Sequence, residues 1–216
     1  LTTNDMTIDD AVALIRGQKG TSVKLTIVRE GLDKPKEITV VRDRIDIPTI
    51  DTNLRADGVF VISLYNFSLH SAELMERALL EFKASGSHEL VIDLRGNPGG
   101  YLDTAVDMAS FFLPEGATIV KEDFGKNGKP RTYRSKGYEL LHVSNLKVAI
   151  LVNKGSASAS EILAGALGEH GVAVLVGETT YGKGSVQEVV DVTSDTTLKL
   201  TVAKWLTPNG ISISEH

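Results

Sequence analysis

Three short apolar runs, each stopped by a glycine-containing turn, restrict the fold more than any other feature of the chain. The runs are residues 89–94, 148–152 and 172–176, and the turns that follow them are residues 95–100, 153–158 and 177–184. Helical spacing of apolar residues resumes after the first two turns. Strands that alternate with helices predict an α/β (mixed α+β) fold with a mainly parallel sheet flanked and covered on both faces by helices. The carboxyl ends of parallel strands share one sheet edge, and open α/β sheets place their functional sites there.

The chain divides by pattern into two units, residues 1–44 and 45–216. In the first, residues 7–16 have the apolar spacing of a helix with Thr7 as its N-cap, and residues 22–29 and 37–42 alternate as the strands of a hairpin. The second unit carries the three apolar runs. Its charged segment 122–135 predicts an exposed hairpin or lid, and we expect the unit to be truncated at its carboxyl end.

Composition excludes several classes of function. The 216 residues carry a net charge of −5 with no basic stripe, so a nucleic-acid partner is not indicated. Cysteine is absent, which rules out thiolate catalysis and disulfides. The apolar runs are far shorter than the ~18 residues of a membrane-spanning helix.

Ser158 stands between a predicted strand and a predicted helix. Serines at 156, 158 and 160 are all N-cap candidates, which is the plain structural interpretation. The functional interpretation is a nucleophile, since a helix start offers unpaired N–H groups and a positive dipole end to a developing oxyanion. Small neighbours such as Ala157 and Ala159 would let a substrate carbonyl approach closely.

Lys183 is the base that best suits such a serine. His170 lies twelve residues after Ser158, about 18 Å away along a continuous helix, and no histidine of the chain has a serine or acid partner at a recognisable spacing. Lys183, between two glycines in the turn after the third apolar run, accepts a proton only when its amine is uncharged, so this hypothesis requires a site shielded from water. Gln187, four residues later, is either an exposed strand residue or a group that orients the amine.

The turn at 95–100 follows a buried strand at the same predicted edge. Its glycines are compatible with a structural turn. They are equally compatible with a second backbone N–H for an oxyanion hole.

A nucleotide site is a rival interpretation of residues 177–184. They come within one residue of the phosphate-binding pattern Gly-x4-Gly-Lys-Ser/Thr. However, Gly184 replaces the hydroxyl residue, and the following residues alternate as a strand where that loop requires a helix.

The stretches 7–28, 94–100, 152–162, 177–187 and 206–210 together resemble the C-terminal processing peptidases, also called tail-specific proteases. The resemblance implies a ClpP/crotonase-like core and a serine endopeptidase with a Ser/Lys dyad and no metal or cofactor. Ser158 would be the nucleophile, Lys183 the general base and Gln187 its orienting partner. The N–H of Ala159, with one from Gly99 or Gly100, would form the oxyanion hole.

The same resemblance implies that residues 1–44 are the second half of a PDZ domain, which binds carboxyl-terminal tails. Arg16, at the end of the helix, would either respond to an occupied groove or cap helix carbonyls, and we favour capping. The implied partners are protein substrates with apolar C-terminal tails, without nucleic acid, and the chain is compatible with a homo-oligomer. The implied location is extracytoplasmic, in a bacterial periplasm or cell envelope. A catalytically silent, PDZ-linked scaffold of the same fold is the alternative.

Overall fold

A computed structural model describes the chain at residue 3 and at residues 6–29, 31, 34–44, 48–141, 144–193 and 196–214, without the side chains of residues 9 and 127. Two compact units divide between residues 47 and 48. The start predicted for the second unit, residue 45, lies outside the described residues. No helix in the described ranges is both long and apolar enough to cross a bilayer.

The first unit is one helix and one hairpin. It consists of α1 (Ile8–Ile15) and the antiparallel strands β1 (Ser22–Ile27) and β2 (Lys36–Val41). Thr7 is the N-cap of α1, as predicted, and its hydroxyl accepts the backbone N–H of Asp10 at 3.2 Å.

The carboxyl end of α1 corrects the capping predicted for Arg16. Arg42 caps the helix instead, because its Nε donates to the carbonyl of Ile15 at 2.7 Å. Arg16 takes part through its backbone N–H, which donates to Val12. A residue of the hairpin, distant in sequence, therefore satisfies the helix end.

The second unit contains nine strands, three α-helices and one 3-10 turn (Gly125–Asn127) in its described part. They are β3 (Ile50–Leu54), β4 (Phe60–Leu64), α2 (Ser71–Ser85), β5 (Glu89–Asp93), α3 (Leu102–Ser110), β6 (Thr118–Asp123), β7 (Arg131–Arg134), β8 (Lys147–Val152), α4 (Ala159–Glu169), β9 (Ala173–Gly177), β10 (Ser185–Asp191) and β11 (Thr197–Leu206).

The main sheet has the strand order β3-β4-β5-β8-β9, parallel throughout except for β3. Its parallel strands follow one another in a single direction across the sheet. Because strand–helix–strand crossovers are right-handed, every connecting helix is then placed on the same face.

Burial agrees with this one-sided arrangement and corrects the predicted covering of both faces. One row of side chains in register is buried: Phe60, Leu90, Val148 and Ala173. The neighbouring row on the opposite face is half-buried or exposed: Val61, Val91, Ala149 and Val174.

A second, antiparallel sheet has the order β10-β11-β6-β7. Its strand β6 lies against α4, and Trp205 of β11 packs edge-on against Tyr133 at 5.9 Å between ring centroids. The segment 122–135 is thus a hairpin, as predicted, but not a lid. It is built into this sheet, and Glu122 and Ser135 at its ends are buried.

Core packing beneath the main sheet yields a stability prediction. Phe82 of α2 is fully buried and its ring meets that of Phe60 at 5.6 Å. Phe82→Ala should lower the free energy of unfolding by about 3–5 kcal/mol. The matched control is Leu80→Ala on the exposed side of α2, expected to cost about 0.5 kcal/mol or less. Urea denaturation followed by Trp205 fluorescence measures both, and equal costs would contradict this packing.

Candidate active site

Ser158 has a strained backbone at the turn between β8 and α4. Its φ is 55° and its ψ is −115°. A non-glycine residue adopts such a positive-φ conformation at a cost of about 1–3 kcal/mol. The geometry is that of a nucleophile elbow, a sharp strand–turn–helix connection that presents one side chain above the sheet edge. Ser158 is half-buried and directly precedes the first residue of α4.

Two buried serines flank this turn in place of the glycines of a Gly-x-Ser-x-Gly elbow. Ser156 Oγ donates to the carbonyl of Leu94 at 2.8 Å, and Ser160 Oγ donates to the carbonyl of Asn97 at 3.0 Å. Both side chains are fully buried. Of the three serines weighed as caps, Ser156 and Ser160 fasten the turn to the neighbouring loop, and Ser158, which is half-buried, is the N-cap of α4.

Asn97 joins the glycine loop 95–100 to the Ser158 turn from a fully buried position. Its side-chain Nδ2 donates to Leu64 at 2.8 Å, and its backbone carbonyl accepts the N–H of Ala157 at 3.0 Å. Gly99 packs so closely that an added Cβ would lie 2.5 Å from the Ala157 carbonyl and 2.9 Å from the Ser158 Cβ. The two loops thus meet backbone to backbone.

The hydrogen bonds of this loop separate the two glycines proposed for the oxyanion hole. The N–H of Gly99 is occupied, because it donates to Asn97 Oδ1 at 2.9 Å. Phe67 pairs with the residues on either side of Gly100 in an isolated parallel bridge, which leaves the N–H of Gly100 for another partner. Among the described residues, the N–H groups of Gly100 and Ala159 donate to no acceptor.

The loop that carries Lys183 is tied to the same turn. The backbone N–H of Tyr181 donates to the carbonyl of Ser156 at 2.9 Å. The buried carboxylate of Glu161 accepts the N–H groups of Ser158, Gly182 and Lys183 at 2.7, 2.6 and 3.0 Å. The structure therefore brings the Ser158 turn and the Lys183 loop together.

A cleft of about 570 Å³ opens beside this junction. Its lining consists of Pro98, Gly155, Ala157, Tyr181, Gly182, Lys183, Ser185 and Gln187. Lys183 and Gln187 are exposed, so within the described chain the amine lacks the shielding that the sequence hypothesis requires. The roles of Ser158, Lys183 and Gln187 stay predictions at this point.

The start of the glycine loop is held by an ion pair at the end of β5. The side chain of Arg95 donates to both oxygens of Asp93, at 2.6 to 3.2 Å. Burial acts to raise the pKa of Asp93, but the hydrogen bonds from Arg95 outweigh it and hold that pKa below its usual value. Asp93 thus stays ionised and fixes the first residue of the loop.

Sequence reasoning missed Asn97, Glu161 and the bracing serines. One of them had a readable pattern, since a glutamate three residues after a serine has the spacing of a capping box. The others depend on contacts between loops distant in the chain.

The structure also bears on the rival phosphate-binding loop and on His170 as a base for Ser158. Residues 185–191 form strand β10, which rules out the phosphate-binding loop because that loop requires a helix there. His170 caps the far end of α4 and its Nε2 lies 2.7 Å from the carbonyl of Thr118.

Comparison with known proteins identifies the family. Residues 58–216 match the model of peptidase family S41. This chain belongs to that family, so the predicted resemblance and the α/β fold class are confirmed.

The relatives include two proteins of Bacillus subtilis (strain 168), the carboxy-terminal processing proteases CtpA and CtpB. CtpA is 37% identical over 205 residues, covering 95% of this chain and 43% of CtpA. CtpB is 39% identical over 206 residues, covering 94% of this chain and 42% of CtpB. The solved structure of a photosystem II D1 C-terminal processing protease superposes with a TM-score of 0.76 at 26% identity, covering 97% of this chain and 57% of that one. The chain thus spans about two fifths of the length of these curated relatives.

The contact of Gly99 with the Ser158 turn yields a second prediction. Gly99→Ala adds a Cβ against backbone atoms and should cost about 1–3 kcal/mol of overpacking beyond the strain of its positive φ. Gly96→Ala, in the same loop at a φ of 72° with open space around it, is the control and should cost about 1–2 kcal/mol from φ alone. Thermal unfolding of both variants checks this, and a Gly99 variant no less stable than the Gly96 variant would show that the two loops are further apart.

Proposed function

We propose that this chain is the core of a serine endopeptidase that uses Ser158 as nucleophile and Lys183 as general base. The observation that carries the proposal is the strained backbone of Ser158 at the start of α4. Such strain persists only where the surroundings enforce it, and it clusters at functional sites. Membership of peptidase family S41 supports the same chemistry.

The reaction that we propose assigns one step to each of these groups. The Lys183 amine takes the proton of the Ser158 hydroxyl as the Oγ attacks the carbonyl carbon of the scissile peptide. The N–H groups of Ala159 and Gly100, which have no acceptor in the described chain, stabilise the resulting oxyanion. Lys183 then passes its proton to the departing amine, which leaves an acyl-enzyme. Water, deprotonated by the same amine, releases the acid and restores the serine.

A bound peptide supplies the shielding that the exposed amine needs. Lys183 and Gln187 both line the cleft, together with Pro98 and Tyr181. A substrate strand in this cleft covers the amine and excludes water, which favours its uncharged form. Gln187 accepts a hydrogen bond from the amine without adding charge and so orients it toward Ser158.

The substrates we propose are proteins with apolar carboxyl-terminal tails, in an extracytoplasmic compartment of a bacterium. Relatives named carboxy-terminal processing proteases support the choice of tails. We assign residues 1–44 to the second half of a PDZ domain, in which a tail would lie as an added strand beside the helix α1. Arg16, at the end of that helix, is the residue that we propose responds to an occupied groove.

A scaffold without turnover is the second candidate. The exposure of Lys183 favours it, because an amine that acts as a general base is typically shielded from water. The two candidates differ in the reactivity of Ser158.

A covalent probe separates them. In the intact protein, a fluorophosphonate should label Ser158, and Ser158→Ala should abolish both labelling and cleavage of an unstructured protein with an apolar tail. Lys183→Ala should lower kcat at least about 10²-fold, because it removes the general base.

Lys154→Ala is the matched control. This exposed lysine lies in the same turn as Ser158, and its removal should leave kcat within about twofold of the original protein. Full activity in the Lys183 variant would refute the dyad, and absence of labelling at Ser158 would favour the scaffold.

A further inference from the structure

Glu161 is a buried acid at which two distant parts of the chain meet. Glu161 lies in the first turn of α4 and is only 5% exposed. Its carboxylate accepts four hydrogen bonds. All four partners are donors, so both carboxylate oxygens act as acceptors. Within the described part of the chain, no basic side chain pairs with it.

The two oxygens of Glu161 have different partners. Oε2 accepts the backbone N–H of Ser158 at 2.7 Å and that of Lys183 at 3.0 Å. Oε1 accepts the N–H of Gly182 at 2.6 Å and the hydroxyl of Thr180 at 2.7 Å. A single oxygen atom thus links the residue proposed as nucleophile to the residue proposed as base.

This link acts where the chain lacks regular structure. The segment between β9 and β10 contains no helix or strand of its own, and its other backbone bonds to neighbouring elements include those from Tyr181 to Ser156 and from Trp205 to Gly184. Ser158 has a backbone conformation that relaxes unless its surroundings enforce it. A carboxylate occupied by backbone N–H groups is not free to move protons. Its role is to fix the distance between the backbone N–H groups of Ser158 and Lys183.

We propose that Glu161 is a positioning residue that sets the distance between Ser158 and Lys183, with Thr180 as its partner. This inference rests on the proposed function, because it gives the two residues their spacing for proton transfer. A displacement of about 1 Å between reacting groups costs on the order of 10²-fold in rate. Glu161 therefore controls kcat while leaving substrate binding almost unchanged.

Two substitutions separate positioning from charge. Glu161→Asp keeps the charge but is shorter by one methylene, about 1.5 Å, so its carboxylate does not reach the Lys183 loop. Glu161→Gln loses the charge but keeps the reach. Its carbonyl can take the place of Oε2, and its amide can donate to the Thr180 hydroxyl, which accepts as readily as it donates. Only the bond from Gly182 is then lost.

If the charge of Glu161 were what mattered, Glu161→Asp would have a higher kcat than Glu161→Gln. We expect the reverse in the intact protein. Glu161→Asp should lower kcat about 10²-fold and Glu161→Gln about 10-fold or less, both with KM within about threefold. Thr180→Val should have a small effect alone and a much larger one in the Glu161→Gln protein, where it removes the acceptor of the new amide. An aspartate variant more active than the glutamine variant would overturn the proposal.

Amide hydrogen exchange tests the geometry without relying on catalysis. The N–H of Lys183 should exchange faster in Glu161→Asp than in Glu161→Gln, whereas the N–H of Gly182 loses its acceptor and should exchange faster than in the original protein in both variants. Unchanged exchange of both groups in both variants would also overturn the proposal. Should the aspartate variant fail to fold, the Thr180→Val and Glu161→Gln pair provides the same comparison. Glu122→Gln is the control, because this buried carboxylate of β6 bonds Tyr133 and should affect stability without altering kcat.

Parallel measurement on Ser158→Ala separates failure of this inference from failure of the proposed function. Cleavage that persists in Ser158→Ala would remove the peptidase mechanism itself. If that variant is inactive while Glu161→Asp keeps the original kcat, the mechanism stands and the positioning role alone is wrong.

Discussion

The structure depends on the direct approach of two backbone turns at one edge of the main sheet. The carbonyl of Asn97 accepts from Ala157, and Gly99 leaves no room for a side chain between the loops. These bonds form only if β5 and β8 are adjacent, parallel and in register, as they are. Burial of apolar side chains sets that register, and the register in turn places the Ser158 turn beside the glycine loop.

Sheet order explains why the helices pack against one face of the main sheet. Because β4, β5, β8 and β9 follow each other in one direction, their helices bury a single face. The loops at the carboxyl ends of these strands then lie beside the amino-terminal ends of the helices. A reversal of strand order would have placed helices on both faces.

Sequence patterns predicted the strands and helices whose apolar spacing repeats along their whole length. They failed for features that depend on only a few residues. Helix α1 and the strands β5, β8 and β9 lie within a few residues of the segments predicted for them. Strand β3 was missed because it is an edge strand with four of its five residues exposed, so no apolar alternation marks it. The placement of all helices on one face was missed because it depends on strand order. Strand order is set by pairing between strands that are distant in sequence, such as β5 and β8. In the site, Ser158 and Lys183 were found from their turns, whereas Asn97 owes its importance to partners more than thirty residues away in sequence.

The serines at 156 and 160 have a consequence for how such turns are recognised and how they evolve. A glycine permits a tight bend passively, by having no side chain, whereas a buried hydroxyl enforces the bend by attaching it to a neighbour. A search for letters at fixed spacing therefore overlooks this elbow, although its backbone angles identify it at once. A turn built in this way also inherits its shape from the adjacent loop, so the two segments are constrained to change together.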